Sequence, residues 1–254
     1  MLDATDRKPK RVRKELALIQ LLPNALTLGA ICAGLTAVRL AAIGSFQVAV
    51  ALIILACVLD GLDGRLARAL NSESLMGAEL DSLADFLNFG VAPAIILYFW
   101  ALLPTEDVGW AAALVYTLCC VLRLARFNVG MKSEDGNDKN FFQGVPSPAG
   151  ALLVLGPLFL AHAVPKFPAI PPIAVAGYMA LIGALMVSRL PSFSLKSTKI
   201  YADHAPYVLM AAAASLAALA VIPWITLTIF DALYLASLVF AFRASRALPV
   251  DADD

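Results

Sequence analysis

The chain has 254 residues, of which 61% are hydrophobic and only 15% are charged, and its mean hydropathy is +0.81. A soluble domain of this length is usually about half apolar and about a quarter charged, so the composition excludes an ordinary water-soluble globular protein and predicts a lipid environment. The 19 basic residues balance the 19 acidic ones, and we expect no nucleic-acid partner.

Basic residues are concentrated at the start of the chain. They are Arg7, Lys8, Lys10, Arg11, Arg13 and Lys14. A signal peptide is a poor explanation, because the apolar stretch that follows is long, contains Pro23 and Asn24, and lacks a small-residue cleavage site. We interpret residues 1–20 as a cytoplasmic juxtamembrane segment whose basic side chains lie on anionic lipid headgroups. A solvated tail over residues 1–12 is the alternative.

Eight apolar segments approach the length of about 20 residues that a helix needs to cross a bilayer. They cover residues 24–43, 46–68, 78–103, 108–127, 147–164, 169–188, 205–222 and 224–243. Turn-forming or helix-breaking residues separate them, among them Gly44, Pro104 and Pro223. The sequence therefore predicts an all-α integral membrane protein with one domain of about eight transmembrane helices.

The distribution of lysine and arginine predicts the orientation in the membrane. With the N-terminus inside, 17 of the 19 basic residues lie on the cytoplasmic side, and only Arg39 and Lys166 lie outside. We therefore expect both termini to face the cytoplasm, and we expect the cytoplasmic (inner) membrane as the location.

Four aspartates lie near the ends of the second and third apolar segments. Asp60 and Asp63 are three residues apart and Asp81 and Asp85 are four apart, so each pair lies on one helix face. The short turn over residues 69–76 makes the two helices antiparallel neighbours, which lets the four carboxylates converge. Converging carboxylates need protonation or a divalent cation. Hard oxygen ligands favour Mg²⁺ or Mn²⁺, which also bind phosphate oxygens.

Two classes of function fit these residues when periodicity alone is considered. One is an enzyme that acts on a diphosphate, for which Arg68 would supply a planar cation. The other is a transporter that relays cations or protons through the same acids. Gly61 and Gly64 suit both, because they let a bulky ligand approach the backbone or let two helices pack tightly.

The spacing of these residues resembles the signature of the CDP-alcohol phosphotransferases, which is D-x-x-D-G-x-x-A-R, eight residues, and G-x-x-x-D-x-x-x-D. Every fixed position is matched. The matching residues are Asp60, Asp63, Gly64, Ala67, Arg68, Gly77, Asp81 and Asp85. The resemblance implies a six-helix core over residues 21–200, two additional transmembrane helices over 201–246 and a cytoplasmic tail over 247–254.

The resemblance also implies roles for individual residues. The four aspartates would bind divalent cations, Mg²⁺ or Mn²⁺ and two per active site, and Asp85 would also act as the general base. The residues expected to contact the CDP group are Asn24, Thr27, Gly64, Arg68 and Ser74. A homodimer is a further expectation from the family.

Within the family, three more stretches resemble the phosphatidylserine synthases, namely residues 77–94, 122–128 and 141–151. Asn88 and Val145 depart from the serine and leucine that are usual there. This resemblance implies CDP-diacylglycerol and L-serine as substrates and CMP as a product. Glycerol-3-phosphate, and inositol or its phosphate, are the alternative acceptors.

The carboxylate and ammonium of serine need partners. Arg123 and Arg126 are candidates because they lie three residues apart on one face of the fourth helix, although anchoring of the topology explains them equally well. Gln143 and Ser147 are further candidates for shaping the acceptor pocket. The alternative for these two is a loop that only starts the fifth helix.

Overall fold

A computed structural model describes residues 18–132, 142–188, 191–192 and 205–247 of the chain. Five of its helices are long and apolar enough to cross a membrane. They are Ile19–Ala42, Phe46–Ala69, Leu75–Thr105, Asp107–Gly130 and Pro223–Ala241. Pro172–Val187 and Pro206–Val221 are shorter apolar helices. The helical membrane architecture is confirmed, whereas the count of eight transmembrane helices stays a prediction. Most of the basic segment 1–20 lies outside the described residues.

Helices α1 (Leu22–Ala42) and α2 (Phe46–Ala69) form an antiparallel pair. The turn between them contains Gly44, whose φ of 80° lies in the left-handed region that favours glycine. The two helices approach closely through small buried side chains such as Ala30 and Ala56. This pair forms one wall of the site described below.

The turn after α2 brings the ends of two helices together. Asn71 takes a left-handed conformation with φ of 49°, which asparagine tolerates better than most residues. Helix α3 (Leu75–Asp85) then begins at its N-cap, Ser74, whose Oγ accepts a hydrogen bond of 3.0 Å from the backbone N–H of Gly77. The predicted turn over residues 69–76 is thus confirmed.

The third membrane crossing is irregular after α3. Its parts are α3, a π-helical segment (Phe86–Val91), α4 (Ala92–Leu97), a second π-helical segment (Tyr98–Leu102) and a 3₁₀ turn (Leu103–Thr105). The first π-helical segment follows Asp85 directly.

A proline accounts for part of this irregularity. Pro93 has no N–H to offer to the carbonyl of Phe89, four residues earlier. The hydroxyl of Tyr116 donates a hydrogen bond of 2.8 Å to that carbonyl, so the group is satisfied within the membrane. Tyr116 belongs to α5 (Asp107–Lys132), so this hydrogen bond joins α5 to the interrupted helix.

The same arrangement recurs in the next crossing. Helices α6 (Ser147–Val154) and α7 (Gly156–Ala163) are separated at Leu155, because Pro157 cannot donate to the carbonyl of Leu153. The hydroxyl of Tyr178 in α8 (Pro172–Val187) donates a hydrogen bond of 2.8 Å to the Leu153 carbonyl. Each interrupted helix is thus bound to the next helix in the chain.

The connection that leads into α6 is held against the end of α8. Strand β1 (Phe142–Gln143) pairs antiparallel with β2 (Pro191–Ser192), and these short strands are the extended exception to an otherwise helical fold in the described ranges. Gly144 has a φ of 83°, and a Cβ at this position would lie 2.5 Å from the carbonyl oxygen of Met186. Only glycine fits this close approach.

Helices α9 (Ala205–Val221) and α10 (Pro223–Ala247) complete the described fold. Helix α10 packs against α7, where the ring of Trp224 lies 4.7 Å from that of His162. Most side chains of α9 are exposed and apolar, as expected for contact with lipid. The buried core lies in the centre of the bundle and includes Phe89, Tyr116 and Phe159.

Candidate active site

Three carboxylates meet where α2 and α3 lie side by side. Asp60 of α2 and Asp81 and Asp85 of α3 each place an oxygen within 4.8 Å of the others. The Oδ1 atom of Asp85 is buried and has no hydrogen-bond partner among the described residues. The i, i+4 spacing on α3 and the short turn account for this grouping of three, whereas the sequence predicts that all four aspartates converge.

Asp63, the fourth aspartate, lies outside this group of three. It is only 4% exposed, and it accepts a hydrogen bond of 2.5 Å from the hydroxyl of Thr27 on α1. A bond from a neutral donor to a carboxylate is stronger than one between neutral groups. The side chain of Asp63 is therefore held toward α1, while Asp60, one turn earlier, reaches the acids of α3.

A cleft of about 540 Å³ opens beside the acids, between α1, α2 and α3. The residues expected from sequence to contact CDP all line it. They are Asn24, Thr27, Gly64, Arg68 and Ser74. Asp63 and Asp81 also line the cleft, so Asp81 belongs to both the cleft and the group of three carboxylates.

Two glycines, Gly64 and Gly77, line this cleft, whereas Gly61 is not part of its lining. A Cβ on Gly64 would meet only a guanidinium nitrogen of Arg68, at 3.8 Å, and a Cβ on Gly61 would meet nothing within 4 Å. Gly77 is different, because a Cβ there would lie 3.0 Å from Oδ1 of Asn24. Gly64 thus leaves space for a ligand, whereas Gly77 allows α1 to approach the start of α3.

The two arginines considered for acceptor binding lie in different surroundings. Arg123 donates a hydrogen bond of 2.6 Å to the fully buried hydroxyl of Ser147, and its Nε is buried with no partner within the described part of the chain. Arg123 and Asp85 lie near enough to each other for an electrostatic interaction between their side chains. Arg123 and Ser147 therefore lie on the side of Asp85.

Arg126 instead donates a hydrogen bond of 2.9 Å to the carbonyl of Val187, the last residue of α8. Carbonyls at the end of a helix have no partner within the helix, and a cationic donor suits them. Gln143 pairs with Pro191 through the backbone in the β1–β2 ladder, but its side chain lies outside the described part of the structure.

Residues 20–190 match the CDP-alcohol phosphatidyltransferase family model. The chain belongs to this family. Membership decides between the two functional classes that periodicity leaves open, in favour of the enzyme and against the transporter.

The chain is also similar to individual proteins, and with two of them the similarity covers more residues than the family match does. A CDP-diacylglycerol–serine O-phosphatidyltransferase of Mycobacterium leprae is 39% identical over 234 residues, which are 91% of this chain and 77% of the relative. One of the same name from Mycobacterium tuberculosis is 38% identical over 91% of this chain and 81% of its own length. A third, from Helicobacter pylori, is 37% identical over 69% of this chain and 73% of the relative.

The CDP-alcohol phosphatidyltransferases use divalent metals, and the residues present here fit such an ion. Oxygens about 2.1 Å from one magnesium ion lie about 3–4 Å from one another. Asp60, Asp81 and Asp85 therefore need only small side-chain rotations to share an ion. The buried, unpartnered Oδ1 of Asp85 is the kind of atom that such an ion would satisfy.

The structure also shows polar residues to which sequence reasoning assigned no role. Ser72 lines the cleft with a buried, unpartnered hydroxyl. Asn88 is 1% exposed, packs on Gly34 and has no partner for its amide among the described residues. Asp231 lines a second cleft, of about 370 Å³, together with Tyr178. The sequence did contain a signal for Asp231, because an acidic residue within an apolar transmembrane segment is often functional. It contained none for Ser72 and Asn88, whose burial without a partner follows from the tertiary packing.

Proposed function

We propose that the chain transfers the phosphatidyl group of CDP-diacylglycerol to the hydroxyl of L-serine and releases CMP. The observation that carries the proposal is the 39% identity over 234 residues to a relative whose name states this activity. The serine oxygen forms a bond to the β-phosphorus, and the bond from that phosphorus to the oxygen of CMP breaks. The serine hydroxyl loses its proton in the same reaction.

In this proposal the CDP group occupies the cleft between α1, α2 and α3. Asn24, Thr27, Gly64, Arg68 and Ser74 are its proposed contacts, and their common position around one cleft of about 540 Å³ supports the assignment. The guanidinium of Arg68 would neutralise phosphate charge. The diacylglycerol part would leave the site between helices toward the lipid.

Asp85 is the proposed general base. A serine hydroxyl is a weak nucleophile at neutral pH, so a carboxylate within hydrogen-bond reach must accept its proton. Two observations support this role. Asp85 lies one helical turn beyond Asp81, and its buried Oδ1 atom has no hydrogen-bond partner among the described residues. A π-helical segment begins at the next residue, and such segments are frequent at functional sites.

Asp60, Asp63, Asp81 and Asp85 are the proposed ligands of two divalent cations, Mg²⁺ or Mn²⁺. When bound, such ions neutralise a diphosphate and stabilise the charge of the leaving phosphate. The hydroxyl of Thr27 would keep the carboxylate of Asp63 in a fixed orientation, since the two are 2.5 Å apart.

Arg123, Arg126, Gln143 and Ser147 are the proposed contacts of the acceptor. Arg123 is the strongest of these, because its unpartnered Nε can donate to the serine carboxylate while Ser147 orients its other end. A phosphorylated acceptor would favour a cluster of free cations. The hydrogen bond of Arg126 to the end of α8 argues against such a cluster and hence for serine over glycerol-3-phosphate or inositol phosphate.

The proposal also covers the organisation of the protein. The family match to residues 20–190 supports a catalytic core over 21–200 and two additional helices over 201–246. The distribution of lysine and arginine supports an inner-membrane protein whose active site and termini face the cytoplasm. A homodimer is proposed from the family resemblance.

The test uses purified protein in detergent with CDP-diacylglycerol and either Mg²⁺ or Mn²⁺. Labelled serine, glycerol-3-phosphate and inositol are supplied in parallel, and CMP release is the common measurement. Metal-dependent release with serine alone is the expected result. Release only with another acceptor would overturn the serine assignment, and the Asp85→Asn variant serves as the inactive control for each acceptor.

A further inference from the structure

The side chain of Asn88 is buried between the third membrane crossing and α1. It is 1% exposed, and neither its Nδ2 nor its Oδ1 atom has a hydrogen-bond partner among the described residues. Burying an amide without a partner costs free energy, so hydrogen bonding within the described fold does not explain why an amide stands here. Locally unfavourable residues in natural proteins are expected at functional sites.

Gly34 of α1 provides the space that this amide occupies. A Cβ on Gly34 would collide with Oδ1 of Asn88 and would lie 3.7 Å from its Cα. Gly34 is itself buried, and a side chain in a close-packed interior has little room to move aside. The two residues therefore form a matched pair, in which the missing side chain of one accommodates the amide of the other.

This pair is one of two close approaches between α1 and the third crossing, which run parallel because each is antiparallel to α2. The other lies near the start of both helices, where a Cβ on Gly77 would lie 3.0 Å from Oδ1 of Asn24. Asp81 and Asp85 lie between the two approaches along the third crossing. The backbone that follows Asp85 is π-helical, a rare conformation, so its course depends on the packing around it.

We propose that Asn88 is a positioning residue, whose amide packs on Gly34, fixes the third crossing against α1 and thereby places the carboxylate of Asp85. Helix α1 also carries Thr27, which lies about two turns before Gly34 on the same face and binds Asp63. The pair therefore sets the position of the base relative to the other side of the site. The inference rests on the proposed general-base role of Asp85 and is independent of which alcohol is the acceptor.

The test is a double-mutant cycle on kcat, measured as CMP release by the full chain in detergent with Mn²⁺ and the acceptor that the parent uses. Gly34→Ala is expected to lower kcat about 10-fold or more, because the added Cβ displaces the amide and a shift of about 1 Å can cost about 100-fold. Asn88→Ala is expected to lower kcat as well, because the amide that fixes the crossing is lost. In the double variant the added Cβ occupies space that the amide has left, so the loss should be smaller than the product of the two single losses.

Gly29→Ala is the matched control. Gly29 lies on the same helix, and a Cβ there would meet only Cδ1 of Leu59, at the ordinary contact distance of 3.8 Å. Calorimetry gives the affinity of each variant for CMP, and the melting temperature reports folding. The CMP affinity is expected to change far less than kcat, since a positioning residue of the base acts on the reaction rather than on nucleotide binding.

Several results would overturn the proposal. Parental kcat in Gly34→Ala or in Asn88→Ala is one, and losses that simply multiply in the double variant are another. Losses of kcat that are matched by equal losses of CMP affinity would indicate a general disturbance instead. If Gly34→Ala alone fails to fold, folding and turnover must return in the double variant, and their failure to return refutes the matched pair. A wrong general base would appear separately, as near-normal turnover in Asp85→Asn, and a wrong acceptor as CMP release with another alcohol.

Discussion

Replacing Thr27 by valine tests how the site holds its fourth carboxylate. Valine has nearly the shape of threonine but no hydroxyl, so the buried Asp63 would lose the donor that now lies 2.5 Å from it. Asp63 is only 4% exposed, and water cannot readily replace the lost hydrogen bond. The carboxylate would then be free to turn away from its present orientation.

The expected effect is large because the lost bond ends on a charged group. Hydrogen bonds to charged groups contribute about 1.5–3 kcal/mol, and loss of a partner that orients a metal ligand lowers metal affinity about 10- to 100-fold. We therefore expect Thr27→Val to raise the divalent-metal concentration for half-maximal activity by about 10-fold or more. The variant should also lose about 1–3 kcal/mol of stability, because the buried carboxylate of Asp63 is left without its donor.

The assay is a titration of CMP release with Mg²⁺ or Mn²⁺ at saturating CDP-diacylglycerol. Thr36→Val is the matched control, because Thr36 lies on the same helix, is exposed, and donates a hydrogen bond of 2.6 Å to the carbonyl of Cys32. Thr27→Ser should restore the parental metal requirement. If Thr27→Val and Thr36→Val need the same metal concentration, Asp63 takes no part in metal binding through this hydrogen bond.

Three further predictions concern the base, a glycine and a tyrosine. Asp85→Asn should lower turnover by at least about 100-fold while calorimetry shows nearly unchanged CMP binding; near-normal turnover would remove the general-base role. Gly144→Ala should destabilise the protein by about 2 kcal/mol or more, measured by denaturation, because φ is 83° and carbonyls of the α8 end leave no room for a Cβ. Tyr116→Phe should lower the free energy of unfolding by about 1–2 kcal/mol, measured by the same denaturation. The control Tyr98→Phe loses no hydrogen bond to a described residue and should lower it less. Equal losses in the two variants would contradict the role of the Tyr116 hydroxyl.

The segments that the sequence predicts correctly are those set by composition and local spacing. Apolar length indicates each of the described helices, and Gly44 and the turn over 69–76 mark two helix ends correctly. The residues expected to contact CDP gather around one cleft because α1, α2 and α3 are neighbours in sequence. Short connections leave few ways to arrange consecutive helices.

What the sequence leaves open is the direction in which each polar side chain faces. Asp60 and Asp63 share a face by spacing, yet Asp60 reaches α3 and Asp63 reaches Thr27 on α1. Arg123 and Arg126 are likewise three apart, but one contacts Ser147 and the other the end of α8. Helical spacing shows which residues share one side of a helix. It does not show which neighbouring helix each of those side chains contacts, because that depends on the tertiary packing.

The two proline interruptions bear on how the chain enters the membrane. The carbonyl left without a donor by Pro93 or Pro157 is costly in lipid until a partner reaches it. Tyr116 and Tyr178 supply that partner, and each belongs to the helix that follows its proline in the chain. During synthesis each defect would therefore be repaired by the next helix to emerge, so that helices would enter the bilayer as successive pairs. A mutation that delays insertion of the second helix of a pair should leave the first helix with its unpaired carbonyl in the membrane. The chain should then be degraded more often during synthesis, even where the folded protein is stable.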